Sequence, residues 1–283
     1  MSAQEMIDKN FESVYNRSQG EKQQAILNPS ESLRYVCIVN PGDRNETHWT
    51  LELMKWMLDT GKYNTVYIDM PAFDAMMLDN YVKSREWMTT DTLTKYCSPS
   101  FQRWLHVDKN DMISFLKWIR QFNNNHDNKV SIRGLNYYTC AESVLSLMHF
   151  YPKTEGLVDS LKRLYWESDG INPYSIVKNT KQKLEVSENV LRSKIGDDYD
   201  VFKQFVDQYK YEAIVGQKKI DSLMFNSLMY QEQRNLSSPR NIIFMNLWSL
   251  RTEPSAITFR TRVEELFKKG EYLIYNLVDD IEQ

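Results

Sequence analysis

The stretch YVCIVNPGDRNETHWT, residues 35–50, changes character twice. An apolar β-prone run, Tyr35 to Val39, meets the turn pair Pro41-Gly42, and a polar segment of helical pattern follows. A strand feeding a helix through a short turn is the opening of a crossover unit, and repeats of that unit build a parallel sheet. The same alternation continues along the chain. RYVCIV (34–39), NTVYID (64–69), KVSIRG (129–134), NIIFMN (241–246) and EYLIYNL (271–277) are compact aliphatic or aromatic runs bounded by turn or polar residues, and each is expected to be a strand.

Between these runs the spacing turns helical. Met112, Phe115, Leu116, Ile119 and Phe122 share one helical face. Leu157, Leu161, Leu164 and Tyr165 form another stripe, SDGINPYS (168–175) interrupts it, and Val201, Phe202, Phe205, Val206 and Tyr209 continue in a Lys/Glu/Gln-rich background. The expected architecture is α/β: a largely parallel β-sheet flanked by helices, in a single domain over 1–283 with a helical insertion at 155–235.

Composition narrows the functional classes. At 283 residues, 42% of them hydrophobic, the chain can bury a full core. A net charge of −3 gives no general attraction to nucleic acid or to an anionic membrane, and no basic stripe accompanies the tryptophans, so neither partner is expected. The polar start MSAQEMIDKNFESVYN lacks the apolar core of a secretory leader, and no stretch reaches the roughly 20 apolar residues that span a bilayer. A cytoplasmic protein is expected. The nine glycines form neither a dinucleotide fingerprint nor a phosphate loop, and no cofactor is expected. Cys37, Cys97 and Cys140 have no CxxC spacing and read as free thiols. The four histidines show no metal-ligand spacing, so no metal is expected. There is no GxSxG elbow for a serine nucleophile.

In an open parallel sheet, ligands bind beyond the carboxyl ends of the strands. That rule singles out Asn40, Asp43, Asp69, Asn136 and Asn246, with Trp248 just beyond. The segments around them resemble the erythromycin-esterase-like family, and the resemblance implies an EreA/ChaN-like fold. VYIDMPAFDAMMLDNYV (66–82) is similar to the family's strand and its Asn-x-Tyr-Val helix, here Asn80-Tyr81-Val82. Trp118-Ile119-Arg120-Gln121-Phe122-Asn123 stands for its Trp-Leu-Arg-x-Tyr-Asn, and Gly134-Leu135-Asn136 for its Gly-x-Asp. KKIDSLMFNSLMYQEQRNLSSPRNIIFMNLW (218–248) is similar to a later helix and strand, and ITFRTRVEELFKKGEYLIYNL (257–277) to the closing ones.

The resemblance implies metal-free hydrolysis of a macrocyclic lactone. A histidine in a Gly-Glu-x-x-His-Gly turn would activate water, aided by an arginine, a second-strand glutamate and two later histidines. Aligned on the first strand, Val39-Asn40 replaces Gly-Glu and Asp43 replaces the histidine. The second-strand glutamate becomes Asp69, and Met245-Asn246-Leu247-Trp248 replaces His-Asn-x-His. Sliding the register to use His48 as the base shortens the span to Asp69 and leaves Met57 at the arginine position.

Two expectations follow. One is a divergent member that has lost the hydrolytic set and binds a small molecule or partner in a strand-end pocket lined by Asn40, His106, Asn136, Asn246 and Trp248. The other is an enzyme with a remodelled site, for acyl-transfer, hydrolysis or elimination, in which Asp43, Asp69 and His48 are catalytic. The favoured reading of His48 itself is a structural residue in a helix's first turn, beside Thr47. His106 is expected in a Trp-containing loop, His126 in a solvated turn and His149 packed in a helix.

Overall fold

The computed structural model describes residues 33–40, 44–86, 88–136, 189, 192–193, 240–246 and 272–276. In chain order these give β1 (Tyr35–Asn40), α1 (Arg44–Asp59), β2 (Thr65–Pro71), α2 (Ala72–Val82) and α3 (Thr90–Ser100). A one-turn π-helix (Phe101–Leu105), α4 (Lys109–Asn125), β3 (Ser131–Asn136), β4 (Asn241–Asn246) and β5 (Tyr272–Asn276) complete the set. The five strands form one sheet in the order β3-β2-β4-β1-β5. β1 pairs in parallel with β4 and with β5, and β2 pairs in parallel with β4. The expected α/β class with a largely parallel sheet is the one observed. The chain forms two compact units, one of residues 1–70, 74–135 and 221–283, which carries nearly all of this sheet, and one of residues 71–73 and 136–220. The predicted insertion at 155–235 lies outside the described residues apart from Asn189, Arg192 and Ser193, which are helical.

The strands read as continuous apolar runs because both faces are covered. Val36, Ile38, Ile242 and Phe244 on one face and Val39, Tyr67 and Met245 on the other are all fully buried, as expected for strands of a parallel sheet. All five expected strands are present, and the largest shift is at β3, which starts at Ser131 rather than Lys129. The cause is local. Asn123, on α4, holds Val130 through both backbone groups: its Nδ2 donates to Val130 O (2.9 Å) and its Oδ1 accepts from Val130 N (2.7 Å). Val130 is thereby committed to the turn before the ladder begins at Ser131, whose N–H donates to Asn64 O (2.8 Å).

The helices follow their stripes. α1 buries Thr47, Thr50, Leu51, Met54, Met57 and Leu58, a run at helical spacing. α4 buries all five residues of its predicted face and starts at Asp108, whose side chain accepts from Asn110 N (2.8 Å). The segments that carry the family resemblance interlock. The guanidinium of Arg120 lies over the Tyr81 ring at 4.7 Å and donates to Met88 O (3.1 Å). Asn123 Nδ2 also donates to Val82 O (3.1 Å). Asp79 ties α2 to β3, accepting from Ile132 N and from Arg133 Nη1 (both 2.8 Å), with Lys83 on its second oxygen as well (2.8 Å). Together these contacts hold two helices and a strand in place.

Asn123 is 2% exposed, and its amide serves three backbone groups. Replacing it with alanine strands buried donors and acceptors at roughly 1–3 kcal/mol for the worst of them, so Asn123→Ala should cost about 3 kcal/mol of stability. Chemical denaturation with an unchanged m-value would register that loss; a change below about 1 kcal/mol would contradict the role.

Candidate functional site

The site is built where β1, β4 and β2 end side by side. β1 terminates at Asn40, which is level with Asn246 of β4 in the pairing register. Asn40 is completely buried, and both ends of its amide are engaged: Nδ2 donates to Leu105 O (2.7 Å), and Oδ1 accepts from Thr47 Oγ1 (2.7 Å). Asp69, 2% exposed, follows the Ile68–Phe244 pair, so it falls level with Met245 and on the alternate pleat from Asn40. Asn136 closes β3, the edge strand beside β2. The side chains of Asn136 and Asn246 lie outside the described residues, as do Asp43 and Trp248.

His48 is placed differently from these. The buried stripe of α1 passes through Thr47 and Thr50 and leaves His48 off the core face, with its side chain 48% exposed. Its Nδ1 is 3.7 Å from Asp111 Oδ1 in the first turn of α4, and its ring meets Trp49 edge-on at 5.6 Å. Among the described residues its charged neighbour is thus Asp111, while Asp69 sits buried at the end of β2. His126 is exposed and stacks on Phe122 at 4.0 Å; His149 lies outside the described residues.

His106 is exposed, and its setting differs from a loop. Trp104 belongs to the π-helix, and His106 ends that helix in the left-handed conformation (φ 53°). The sequence signal was Pro99, inside α3: proline has no N–H to donate into the preceding turn, and after it the helix widens over Phe101–Leu105. π-Helical turns of this kind occur frequently at functional sites.

This turn brings in groups that the sequence reading did not assign to the site. Ser100 Oγ donates to Asp74 Oδ2 (2.6 Å), joining the start of the π-helix to the first turn of α2, directly after β2. Burial raises the Asp74 carboxyl to about 6, against the smaller stabilising influences of Ser100 and Arg103. Burial, reinforced by the Asp74 charge, holds the neighbouring Cys97 thiol well above its usual range, so it is no nucleophile at neutral pH. Cys37 and Cys97 are both free and buried. Among the described residues no three His, Cys, Asp or Glu side chains converge as metal ligands, and no helix is long and apolar enough to cross a membrane.

These features define an open parallel α/β protein whose strand ends are capped by a bolted π-turn. The sequence matches the erythromycin esterase family over residues 59–216, more than half of the chain, and the chain belongs to that family. No functionally curated protein matches the sequence. Among solved structures, a Bacillus cereus protein is similar with a TM-score of 0.60 at 16% identity, covering 98% of this chain and 74% of its own. A succinoglycan biosynthesis protein is similar with a TM-score of 0.56 at 11% identity, covering 93% of this chain and 68% of its own. A mutant of the erythromycin esterase EreC in its open conformation gives 0.53 at 13% identity, covering 92% of this chain and 73% of its own. At these identities the likeness is one of fold.

Asp74 makes the site's stability depend on pH. Its folded value near 6 lies above the ordinary 3.8, so the folded state takes up this proton more readily than the unfolded chain. The proton-linked stabilisation is complete below about pH 4 and is lost as pH rises through about 6. Asp74→Asn removes the ionisation while keeping an acceptor for Ser100. The variant should therefore be more stable than the parent at pH 7.5, by an amount on the order of 2 kcal/mol, with the gap closing towards pH 4. Melting temperatures across that range would test it; a gap independent of pH would contradict the burial of the charge.

Proposed function

We propose that this chain is a divergent erythromycin-esterase-like protein that has lost the family's hydrolytic His/Glu/Arg set and binds a small molecule or partner at its strand ends. The observation that carries this reading is Asn40. The resemblance expects a glutamate there to work with the water-activating histidine. In its place stands a neutral, fully buried amide whose two ends are consumed by Leu105 and Thr47. An acceptor–donor group locked in that way does structural work and has no role left in proton transfer. The alternate register offers no remedy, because its arginine position is Met57, fully buried in the core. The buried free thiols Cys37 and Cys97 suit a reducing, cytoplasmic setting.

A second reading, an enzyme with a remodelled site using Asp43, Asp69 and His48, draws on one observation: Asp69 keeps a buried carboxyl at the position of the second-strand glutamate. Buried carboxyls beside strand ends are natural candidates for acid–base work. The two readings separate in one experiment. Purified protein should hydrolyse neither macrolide lactones nor nitrophenyl esters above the buffer rate, while members of a small-molecule library raise its melting temperature and lose that effect in Asp69→Asn. Turnover that disappears in Asp69→Asn or His48→Ala would overturn the binding-only reading and assign the base.

A further inference from the structure

The π-helix is fixed at both ends and presents its middle. Phe101 and Leu105, its first and last residues, are fully buried. Ser100, immediately before it, is hydrogen-bonded to Asp74 just beyond β2, and the Leu105 carbonyl accepts from Asn40 at the end of β1. In the sheet, β4 lies between β2 and β1. The turn therefore runs from the end of one strand to the end of another across the end of the strand between them, and it packs against β4. The residues between the two bolts are Gln102 and Arg103, both exposed, and Trp104, half-buried. They are held at the carboxyl edge of the sheet, where open parallel sheets take their ligands.

Arg103 is prepared for a partner there. Its guanidinium lies over the Trp104 ring at 5.1 Å, which limits its rotamers, and the residue is exposed. Asp74 acts on it through space, yet Arg103 forms no ion pair among the described residues. An exposed guanidinium steadied by a neighbouring ring matches the paired oxygens of a carboxylate, phosphate or sulfate.

We propose that the π-turn Phe101–Leu105 is the ligand-recognition element of the strand-end site, and that Arg103, steadied on Trp104, pairs with an oxyanion group of the ligand. The proposal rests on the strand-end reading above and adds the chemical class of what is bound: a molecule carrying a carboxylate or a tetrahedral oxyanion. Asp74 is the opposing charge that limits affinity for such groups.

Calorimetric titration of the full chain with sodium sulfate, and separately with sodium acetate, at pH 7.5 and constant ionic strength tests the assignment. The parent should bind at least one of the two anions near one per chain, the tighter of them revealing whether the site prefers a tetrahedral or a planar oxyanion. Arg103→Gln should weaken that binding tenfold or more while the protein remains folded at the titration temperature, Arg103→Lys should retain part of it, and Asp74→Asn should tighten it several-fold. Equal binding by the parent and Arg103→Gln would overturn the proposal. So would the absence of binding of both anions by the parent. If neutral small molecules still stabilise the protein and lose that effect in Asp69→Asn, the strand-end reading survives while the oxyanion assignment falls.

Discussion

The amide of Asn40 is the joint on which the carboxyl edge of the sheet depends. Through one side chain it fixes the last residue of β1, the first turn of α1 by way of Thr47, and the far end of the π-turn by way of Leu105. Each bond is worth about 1 kcal/mol net, but leaving any partner buried and unsatisfied costs more, so the three elements are held as one piece. Where a hydrolytic relative is expected to use a charge, this chain has a neutral crosslink. At this position the side chain sets the geometry of the edge, tying the end of β1 to the start of α1 and to the π-turn.

On the proposed reading, the π-turn that covers this edge is what gives a site poor in reactive groups its specificity. The strand ends supply a carboxyl at Asp69, and the π-turn supplies a cation, an indole and an amide in a rigid presentation. The resemblance to the erythromycin esterases resides elsewhere, in Tyr81, Arg120 and Asn123, which bind α2, α4 and the approach to β3 to one another. The framework and the edge are thus built from different residues. The family's frame can persist in this chain while its edge carries other chemistry.

The framework was legible in the sequence because its signals are local. Aliphatic runs of strand length marked all five strands, and the apolar face of α4 followed from five residues at helical spacing. The same logic could have placed His48: once Thr47, Thr50, Leu51, Met54, Met57 and Leu58 are seen as one stripe, residue 48 falls off it. The edge was less legible because its signals are long-range or indirect. Asn40 and Leu105 are joined across 65 positions, and Asp74 and Ser100 across 26. No spacing rule relates such pairs. The π-turn had a single local cue, the proline at 99, and Trp104 and His106 were read as loop residues for want of it.

The strand order has a consequence for the protein's history before it is folded. β4, at positions 241–246, is flanked by β1 and β2, which precede it by well over a hundred residues. Until that late segment leaves the ribosome, β1 and β2 have no common neighbour, and two apolar strands wait with unsatisfied hydrogen-bonding edges. Loop closure over such separations is slow relative to forming the helices, which can assemble as they are made. The nascent chain therefore passes through a long interval in which α1 to α4 can form and β2 can meet β3, but β1 cannot join them in the sheet. During that interval its strands are natural clients of chaperones, and synthesis stalled before residue 241 would yield a fragment disposed to aggregate rather than a smaller working protein.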